Sequence, residues 1–455
     1  MSRYKPDPNT GVNLTIDGMS VTVPEGTRIL EAAEKLNIKI PTLCEHPDLC
    51  KRGLCRICVV ECDGRGKLAA ACANDVWEGV NIVTVNKRLS KIRRTIVELI
   101  LANHPQDCLF CVRSKNCELQ KLAKVYGILD APFGNVSDEN LSRAESKTLV
   151  RDMGKCVKCG RCVEACQEIQ TIGAINTSHR SVEYSICSAY NLALEDGPCV
   201  FCGQCAGVCP VGAIFVYDQS AEVLAAIAAN DAPAIAAVSP SLASALEREL
   251  AAGAVTAGKM ISAVRLLGFK KVYNADMAAN AANSEICGEV KQRIKSGATL
   301  PLISGCSEGV IRFIKNFYPG LEGNLSKVKN PRRSFAASCK NHYAKEAGMP
   351  LSSVISVSFV PCIAQKYTAE SDDKDFALTA GELARMIKLS GIIMENLPEE
   401  QFDAFPCKPP EQDTPVKKET VHGYAQARSV MEAVSRGECD AQWVEILSCP
   451  KSNCS

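Results

Sequence analysis

Two cysteine runs in the middle of the chain constrain its fold more than any other feature. The runs are CVKCGRCVEAC at 156–166 and CVFCGQCAGVCP at 199–210, and each has the spacing CxxCxxCxxxC that binds iron–sulfur cubanes. In paired runs the fourth cysteine of each ligates the other cluster. We therefore predict two 4Fe–4S ligand sets, Cys156, Cys159, Cys162 and Cys209 for one cluster and Cys199, Cys202, Cys205 and Cys166 for its neighbour. Zinc is the alternative for a single CxxC pair, but eight cysteines in this register argue against it.

The charge balance and the cysteine content indicate which partners and which redox compartment to expect. The 455-residue chain has 26 cysteines and a net charge of +1 from 52 basic and 51 acidic residues. This balance argues against nucleic acid and against an anionic membrane surface as partners. The start MSRYKPDPNTG has no apolar leader and clusters need free thiolates, so we expect a reducing, cytoplasmic location. The most apolar stretch, 223–238, is too short and too interrupted to span a bilayer.

The N-terminal segment predicts a β-grasp domain. VNLTIDGMSVTV at 12–23 alternates apolar residues around an Asp-Gly turn, which is typical of a β-hairpin. Thr27 is the expected N-cap of the next helix. The apolar face of that helix is predicted to carry Ile29, Leu30, Ala33 and Leu36.

Four cysteines beyond this helix are predicted to hold a 2Fe–2S cluster. They are Cys44, Cys55, Cys58 and Cys72, and Gly53 lets their loop approach the cluster closely. Their spacing differs from that of plant-type ferredoxins, so the pattern is less specific than the paired runs. Cys50 and Cys62 fall outside it and are expected to be small buried residues.

A further cluster site is predicted after a helix at 89–102. Ile92, Ile96, Leu99 and Ile100 share one side of this helix. The sequence HPQDCLFCVRSKNC then presents a cubane ligand set, His104, Cys108, Cys111 and Cys117. A loop histidine is commonly a surface or core residue, but a neutral imidazole ligand would raise the potential of the cluster, as in Rieske centres. A helix at 118–126 would close the site.

The rest of the chain predicts a linker, an insertion and an α/β domain. Residues 135–146 are polar and turn-rich, and 175–196 separate the two cysteine runs, with Cys187 expected to be structural. Beyond 216, alanine-rich helices alternate with short apolar segments, which favours α/β architecture. The predicted strands are 234–238, 271–274, 300–304 and 356–361. Because neither GxGxxG nor GxxxxGK occurs, no nucleotide or flavin site is predicted.

The order of these motifs resembles the large subunits of FeFe hydrogenases and their relatives in complex I-like assemblies. The resemblance covers nearly the whole chain and extends to LPLISGCSEGVIRFIKNFYP, SCKNHY, VSFVPCIAQKY and HGYAQARSVMEAV. It implies a multidomain protein of α/β and α+β class. The expected domains are a β-grasp 2Fe–2S domain at 10–88, a His/Cys3 4Fe–4S domain at 89–134, a twin 4Fe–4S ferredoxin domain at 147–218 and a truncated hydrogenase-like α/β domain at 219–455.

In that family three loops hold the hydrogen-activating H-cluster, a cubane bridged by cysteine to a di-iron unit, and all three differ here. The first loop, SGCSEGV, has Cys306 at the position of a proton relay and Ser307 at that of a cubane ligand. The second, VPCIAQKYT, keeps Cys362 but has Gln365 where the family has a lysine. Lys366 would have to reach around to replace the lost positive charge.

The third loop and the segment before it also depart from the family. Glu445 and Cys449 remain, Cys454 stands one residue later than expected, and the chain ends without the usual terminal glycines. A charged, proline-rich bridge at 407–419 replaces a glycine-rich segment of the H-cluster pocket. The resemblance therefore implies that no di-iron H-cluster is bound.

Four cysteines nevertheless remain at the altered site. We hypothesise that Cys306, Cys362, Cys449 and Cys454 hold a fourth 4Fe–4S cluster, the alternative being a domain with buried free thiols. The other C-terminal cysteines, Cys287, Cys339, Cys407 and Cys439, are expected to be structural.

The resemblance implies an electron-relay subunit that has no substrate site of its own. It points to flavin-based electron-bifurcating NAD(P)H/ferredoxin oxidoreductases, in particular Stn-type transhydrogenases. The implied partners are an FMN/NADH-binding flavoprotein, a thioredoxin-like 2Fe–2S subunit, an NADP-binding flavoprotein and ferredoxin. The alternatives are a hydrogenase or hydrogen sensor with an atypical H-cluster, and a relay and docking subunit of an NAD-linked formate dehydrogenase.

Overall fold

The computed structural model describes most of the chain. The described residues are 11–49, 52–63, 68–130, 132–133, 143–146, 148–229, 232–251, 253, 255–328, 331–367, 375–405 and 416–450. The hypothesised ligand Cys454 lies outside these residues, as do Cys50 and Cys407.

A five-stranded sheet with one helix forms the first domain. Its elements are β1 (Gly11–Ile16), β2 (Met19–Pro24), α1 (Ile29–Lys35), β3 (Val59–Cys62), β4 (Leu68–Ala70) and β5 (Asn81–Val83), and the sheet order is β2-β1-β5-β3-β4. The predicted hairpin is confirmed, because β1 and β2 pair antiparallel with Val12 opposite Val23. The predicted N-cap Thr27 is wrong. Its hydroxyl instead donates to the Pro24 carbonyl at 2.6 Å, and the helix starts after Arg28.

Two helices flank the predicted His/Cys3 site, α2 (Lys87–Ala102) and α3 (Glu118–Val125). Both were predicted, but the apolar side of α2 was partly wrong, since Leu99 is 47% exposed. The side of α2 that contains Arg93 is buried instead. The guanidinium of Arg93 donates to the Val59 carbonyl at 2.6 Å. A buried arginine interrupts the apolar periodicity that the prediction relied on.

The paired cysteine runs lie in a small domain of short elements. These are β6 (Arg143–Glu145), β7 (Leu149–Asp152), α4 (Arg161–Glu164), β8 (Ile175–Ser178), β9 (Ser185–Ser188), α5 (Gln204–Gly207) and β10 (Ile214–Val216). Strands β10, β7 and β6 form an antiparallel sheet, so the end of the predicted linker is a strand. The predicted insertion contains the β8-β9 hairpin. Helices α4 and α5 begin at equivalent points of the two runs.

The C-terminal region is α/β, as predicted, but it contains two parallel sheets. Its helices are α6 (Ser220–Ala228), α7 (Leu242–Leu250), α8 (Ala257–Leu266), α9 (Asp276–Ser296), α10 (Glu308–Phe317), α11 (Pro331–Ala347), α12 (Ile363–Lys366), α13 (Ala380–Leu389) and α14 (Gly423–Ser435). Its strands are β11 (Ala234–Val238), β12 (Lys271–Asn274), β13 (Leu302–Gly305), β14 (Ile355–Val360), β15 (Asp375–Thr379), β16 (Lys418–His422) and β17 (Trp443–Leu447). The sheet orders are β12-β11-β14-β15 and β13-β17-β16.

The largest hydrophobic core joins the cysteine domains to the second C-terminal sheet. It contains Leu119 of α3, Phe201 of the second cysteine run, Phe313 of α10 and Ile446 of β17. One continuous core therefore holds the predicted cluster sites and the altered hydrogenase-like loops in fixed relation. Within the described ranges, no helix has the length and apolar character to cross a bilayer.

Candidate iron–sulfur centres

The four cysteines of the predicted 2Fe–2S site lie together. The sulfur atoms of Cys58 and Cys72 are 3.4 Å apart, and the Cys55 amide donates to the Cys44 sulfur at 3.4 Å. Hydrogen bonds from the Cys55 and Cys72 thiols hold the pKa of Cys44 well below its usual range. Such mutual stabilisation of a thiolate suits a metal-binding thiol set. Cys62 instead packs into the apolar core of this domain, where it was expected.

The His/Cys3 site centres on a buried imidazole. His104 is 7% exposed, and among the described residues its Nδ1 atom has no hydrogen-bond partner. Burial lowers the pKa of His104, which favours the neutral form that binds metals. Burial, with smaller contributions from Cys111 and Cys108, raises the pKa of Cys117. A buried imidazole nitrogen with no described partner, in the loop that carries the three neighbouring thiols, fits the proposed ligand set.

The twin-cluster domain closes over this site. A Cβ atom at Gly212 would lie 2.8 Å from the Cys111 sulfur, so the backbone at 212 approaches that thiol directly. Lys155 forms an ion pair with Asp107 at 2.9 Å across the same boundary. The His/Cys3 loop therefore lies directly against the domain that carries the paired runs.

The first predicted cubane set surrounds one small apolar cavity. Cys156, Cys159, Cys162 and Cys209 all line this cavity of about 20 Å³. Cys209 belongs to the second run and the other three belong to the first, so the fold brings together the crossed set that the sequence predicted. Burial raises the pKa of Cys156 to about 11 and that of Cys159 to about 12. Thiolates buried in this way need a positive group, which ligated iron would supply.

The second predicted set is buried more deeply. Burial raises the pKa of Cys202 well above its usual value, and the neighbouring Cys205, Cys166 and Cys199 raise it further. Cys162 of the other set also raises the pKa of Cys205, so the two sets are neighbours. Both runs have the same local contact: the Lys158 amide donates to the Cys156 sulfur and the Phe201 amide to the Cys199 sulfur, each at 3.4 Å.

In the described part of the chain, no three His, Cys, Asp or Glu side chains converge on a single-ion site.

The three described cysteines of the altered C-terminal site each follow the carboxyl end of a parallel strand. Cys306 follows β13, Cys362 follows β14 and Cys449 follows β17. The sulfur atoms of Cys362 and Cys449 are 3.0 Å apart. Both residues line a cleft of about 260 Å³ together with Cys202 and His46. The carboxyl ends of parallel strands are the usual position of ligand sites in such folds.

Cys306 is held differently from the other two cysteines. Its sulfur accepts a hydrogen bond from the Ser448 amide at 3.3 Å, and it is not among the residues that line the cleft. The Ser307 hydroxyl is 2.8 Å from that of Ser448, which is 3.0 Å from the Tyr424 hydroxyl. The first loop is thus fixed by a buried network of hydroxyl groups.

Comparison with known proteins follows the same sequence of domains. Four family models match, namely "2Fe-2S iron-sulfur cluster binding domain" at 9–87, "NADH-ubiquinone oxidoreductase-G iron-sulfur binding region" at 93–132, "4Fe-4S dicluster domain" at 155–213 and "Iron only hydrogenase large subunit, C-terminal domain" at 232–414. The NADP-reducing hydrogenase subunit HndD of Solidesulfovibrio fructosivorans is 36% identical over 86% of this chain and 71% of its own length. The chain belongs to the iron-only hydrogenase large-subunit family.

Two other relatives match over very different shares of their own length. Iron hydrogenase 1 of Clostridium pasteurianum is 32% identical over 86% of this chain and 70% of its own length. The NADPH-Fe(3+) oxidoreductase subunit alpha of Geobacter sulfurreducens is 37% identical, over 37% of this chain and 20% of its own length. The family models themselves show that this member of the iron-only hydrogenase family has both 2Fe–2S and 4Fe–4S binding domains.

Lys366 does not replace the lysine that the iron-only hydrogenase family has at position 365. Its ammonium group forms a buried ion pair with Glu382 of α13. Burial lowers the pKa of Lys366, while Glu382, Asp218 and Glu222 oppose this shift. Glu382 also accepts hydrogen bonds from the Thr379 amide and hydroxyl at the start of α13. The Lys366 side chain is thus held by Glu382 in the buried layer beside the first C-terminal sheet.

Replacement of Lys366 by Met is expected to destabilise the C-terminal region by about 3–5 kcal/mol, because it leaves a buried carboxylate without its cation. Thermal unfolding followed by circular dichroism measures the effect. Lys388→Met on the exposed side of α13 is the matched control, with an expected change within about 0.5 kcal/mol. Equal transitions for the two variants would contradict the ion pair.

Arg312 of α10 joins the C-terminal region to the loop that carries the second cubane set by hydrogen bonds. Its guanidinium donates to the carbonyls of Cys199, Gly197 and Glu195 at 2.8, 2.8 and 2.7 Å. It also lies 5.6 Å from the ring centre of Phe201, a contact of the cation–π type. No sequence motif points to Arg312, because its acceptors are backbone atoms more than 100 residues away.

Proposed function

We propose that this chain is the iron–sulfur electron-transfer subunit of a flavin-based electron-bifurcating NAD(P)H/ferredoxin oxidoreductase of the transhydrogenase type, without a functional H-cluster. The observation that carries the proposal is the state of the first altered loop. Ser307 occupies the position of a cubane ligand, and its hydroxyl is engaged with Ser448 in the core. Lys366 does not replace the lost lysine either, because it is paired with Glu382. The cysteine sets on the N-terminal side remain complete.

The proposed ligands are those expected from the sequence. One 2Fe–2S cluster is assigned to Cys44, Cys55, Cys58 and Cys72. Three 4Fe–4S clusters are assigned to His104 with Cys108, Cys111 and Cys117, to Cys156, Cys159, Cys162 and Cys209, and to Cys166, Cys199, Cys202 and Cys205. The shared cavity of the first crossed set and the unpaired His104 Nδ1 atom support these assignments.

The protein's task in this proposal is to hold the thiolates close together and dry. When bound, iron–sulfur clusters supply one-electron carriers. The buried core around Phe201 and Leu119 excludes water from the ligand loops, and backbone amides stabilise the thiolates of Cys156 and Cys199. Each of these features favours a fixed, low-dielectric arrangement that needs little reorganisation when charge changes.

A fourth 4Fe–4S cluster at Cys306, Cys362, Cys449 and Cys454 is the further part of the proposal. The cleft that Cys362 and Cys449 share with Cys202 supports it, because it connects this site to the second cubane set. Cys306 would have to turn away from Ser448 to join the set.

The relatives support one class of the proposed partners, and the family resemblance supplies the others. Similarity to subunits of an NADP-reducing hydrogenase and of an NADPH-Fe(3+) oxidoreductase supports association with a pyridine-nucleotide flavoprotein. We assign an FMN/NADH-binding flavoprotein, a thioredoxin-like 2Fe–2S subunit and an NADP-binding flavoprotein to the complex, with ferredoxin as carrier. Substrate chemistry would then take place on the partners, and this chain would be a non-catalytic relay.

Anaerobic purification of the native complex tests the function. We expect co-purification of a flavoprotein with its own NADPH site and ferredoxin-linked exchange of electrons between NADH and NADP. We also expect no hydrogen uptake or evolution after co-expression with hydrogenase maturation proteins. Robust hydrogen turnover would overturn the proposal in favour of a hydrogenase, and a molybdenum or tungsten partner would overturn it in favour of formate chemistry.

Iron content tests the cluster assignment separately. About 14 iron atoms per chain are expected from the four N-terminal clusters, and about 18 if the fourth cubane is present. A value near 14 would remove the fourth cubane without affecting the relay function.

A further inference from the structure

Arg161 occupies an unusual position for a charged residue. It lies between the proposed ligands Cys159 and Cys162, opens helix α4 and is only 4% exposed. A buried arginine needs partners for its charge and for most of its five N–H groups. The origin of those partners shows what the side chain does.

The guanidinium of Arg161 binds groups from three ligand loops. Its two terminal nitrogens donate to the two carboxylate oxygens of Glu118 at 2.7 and 2.8 Å. One of them also donates to the Glu45 carbonyl at 2.6 Å, and the other to the Val208 carbonyl at 3.5 Å. The arrangement is a bidentate, charge-assisted pair with two additional backbone acceptors.

Each acceptor is adjacent in sequence to a proposed cluster ligand. Glu45 follows Cys44 of the 2Fe–2S set, Glu118 follows Cys117 of the His/Cys3 set, and Val208 precedes Cys209 of the first cubane set. Arg161 itself precedes Cys162 of that cubane set. A single side chain therefore connects the ligand loops of three sites that are far apart in sequence.

One N–H group of the guanidinium is left without an acceptor among the described residues. Its Nε–H is buried and has no hydrogen-bond partner in the described part of the chain. Arg161 lies between Cys159 and Cys162 in the sequence, and its bond to the Glu45 carbonyl places the guanidinium at the residue that follows Cys44. The positive charge is therefore held beside the loops of two different ligand sets.

We propose that Arg161 is a positioning residue that fixes the 2Fe–2S, His/Cys3 and first cubane loops around one buried positive charge, and that this charge raises the reduction potentials of the groups bound there. The potential of an iron–sulfur cluster depends on nearby net charge and on hydrogen bonds to its sulfur atoms, and the spare Nε–H is available for such a bond. The inference rests on the ligand sets of the proposed function. Lysine would keep the charge but could not reproduce the planar fork.

Redox titration of the full chain, loaded with clusters and followed by electron paramagnetic resonance, tests this role. Arg161→Gln removes the positive charge and is expected to lower the midpoint potentials of at least two iron–sulfur species. Glu118→Gln removes the negative partner and is expected to raise them. Arg161→Lys should return the potentials toward those of the unsubstituted chain. Arg436→Gln, at a side chain that is 60% exposed, controls for the loss of a remote charge and should leave them unchanged.

The opposite signs separate an electrostatic role from a purely structural one. Unchanged potentials in both Arg161→Gln and Glu118→Gln, with normal iron content, would overturn the inference and leave the proposed function intact. If Arg161→Gln fails to retain iron, Glu118→Gln decides, since it keeps the guanidinium; a raised potential supports the inference and an unchanged one overturns it. An unsubstituted chain that binds no iron would overturn the proposed function and the inference together.

Discussion

Replacement of Cys209 by Ala is expected to remove the cubane assigned to the first cysteine run, with a loss of about four iron atoms per chain. The reason is the crossed arrangement, in which Cys209 lines the same cavity as Cys156, Cys159 and Cys162. A cubane with one iron lacking its thiolate is labile, and among the described residues no further cysteine lines this cavity to replace it. Iron analysis and the spectrum of the reduced protein measure the loss.

Double substitutions test the crossing itself. Cys209→Ala combined with Cys156→Ala should lose no more iron than either single change, because both residues serve one cluster. Cys209→Ala combined with Cys199→Ala should lose twice as much. Cys187→Ala is the matched control, since this half-buried residue on β9 belongs to no ligand set and its loss should leave iron content unchanged. The reverse pattern in the two double variants would show uncrossed ligation.

Replacement of Gly203 by Ala is expected to destabilise the protein by about 2–5 kcal/mol and to separate the second cubane loop from the C-terminal domain. Gly203 has φ 76°, in the left-handed region, and an added Cβ would lie 2.5 Å from the Ile363 side chain. Backbone strain and steric overlap therefore act at one position, beside Cys202. Thermal unfolding and iron content are the measurements.

Two other glycines separate these effects. Gly160 has φ 77°, but an added Cβ would lie 3.0 Å from the flexible end of Leu54, so Gly160→Ala should show strain with little overlap, about 1–2 kcal/mol. Gly207 in α5 has open space around it, and Gly207→Ala should be neutral or stabilising by about 0.5–1 kcal/mol. A loss for Gly203→Ala no larger than that for Gly160→Ala would contradict the close contact with Ile363.

Much of the fold could be predicted because its determinants are local. The Asp-Gly turn with alternating residues identified the first hairpin, and the short apolar segments identified β11, β12, β13 and β14. The prediction fails where tertiary packing determines which side of an element is buried. Apolar periodicity predicts Leu99 on the buried side of α2, but the side that contains Arg93 faces the first domain. The division of the C-terminal strands into two sheets depends on pairing between distant strands, which periodicity does not encode.

The sequence by itself determined which residues are candidate ligands and the order in which the cluster domains follow one another. Ligand spacing within a run is fixed by covalent geometry, so it can be recognised without knowledge of the fold. Only the tertiary structure decided which groups three cationic side chains contact. Lys366 forms an ion pair with Glu382, Arg312 binds the loop of Cys199, and Arg161 binds the loops of three sites. Each of these contacts joins groups that are distant in sequence. For the buried Lys366 and Arg161 such partners are obligatory, because an unpaired charge in the core is too costly to leave, whereas the half-buried Arg312 joins two parts of the chain.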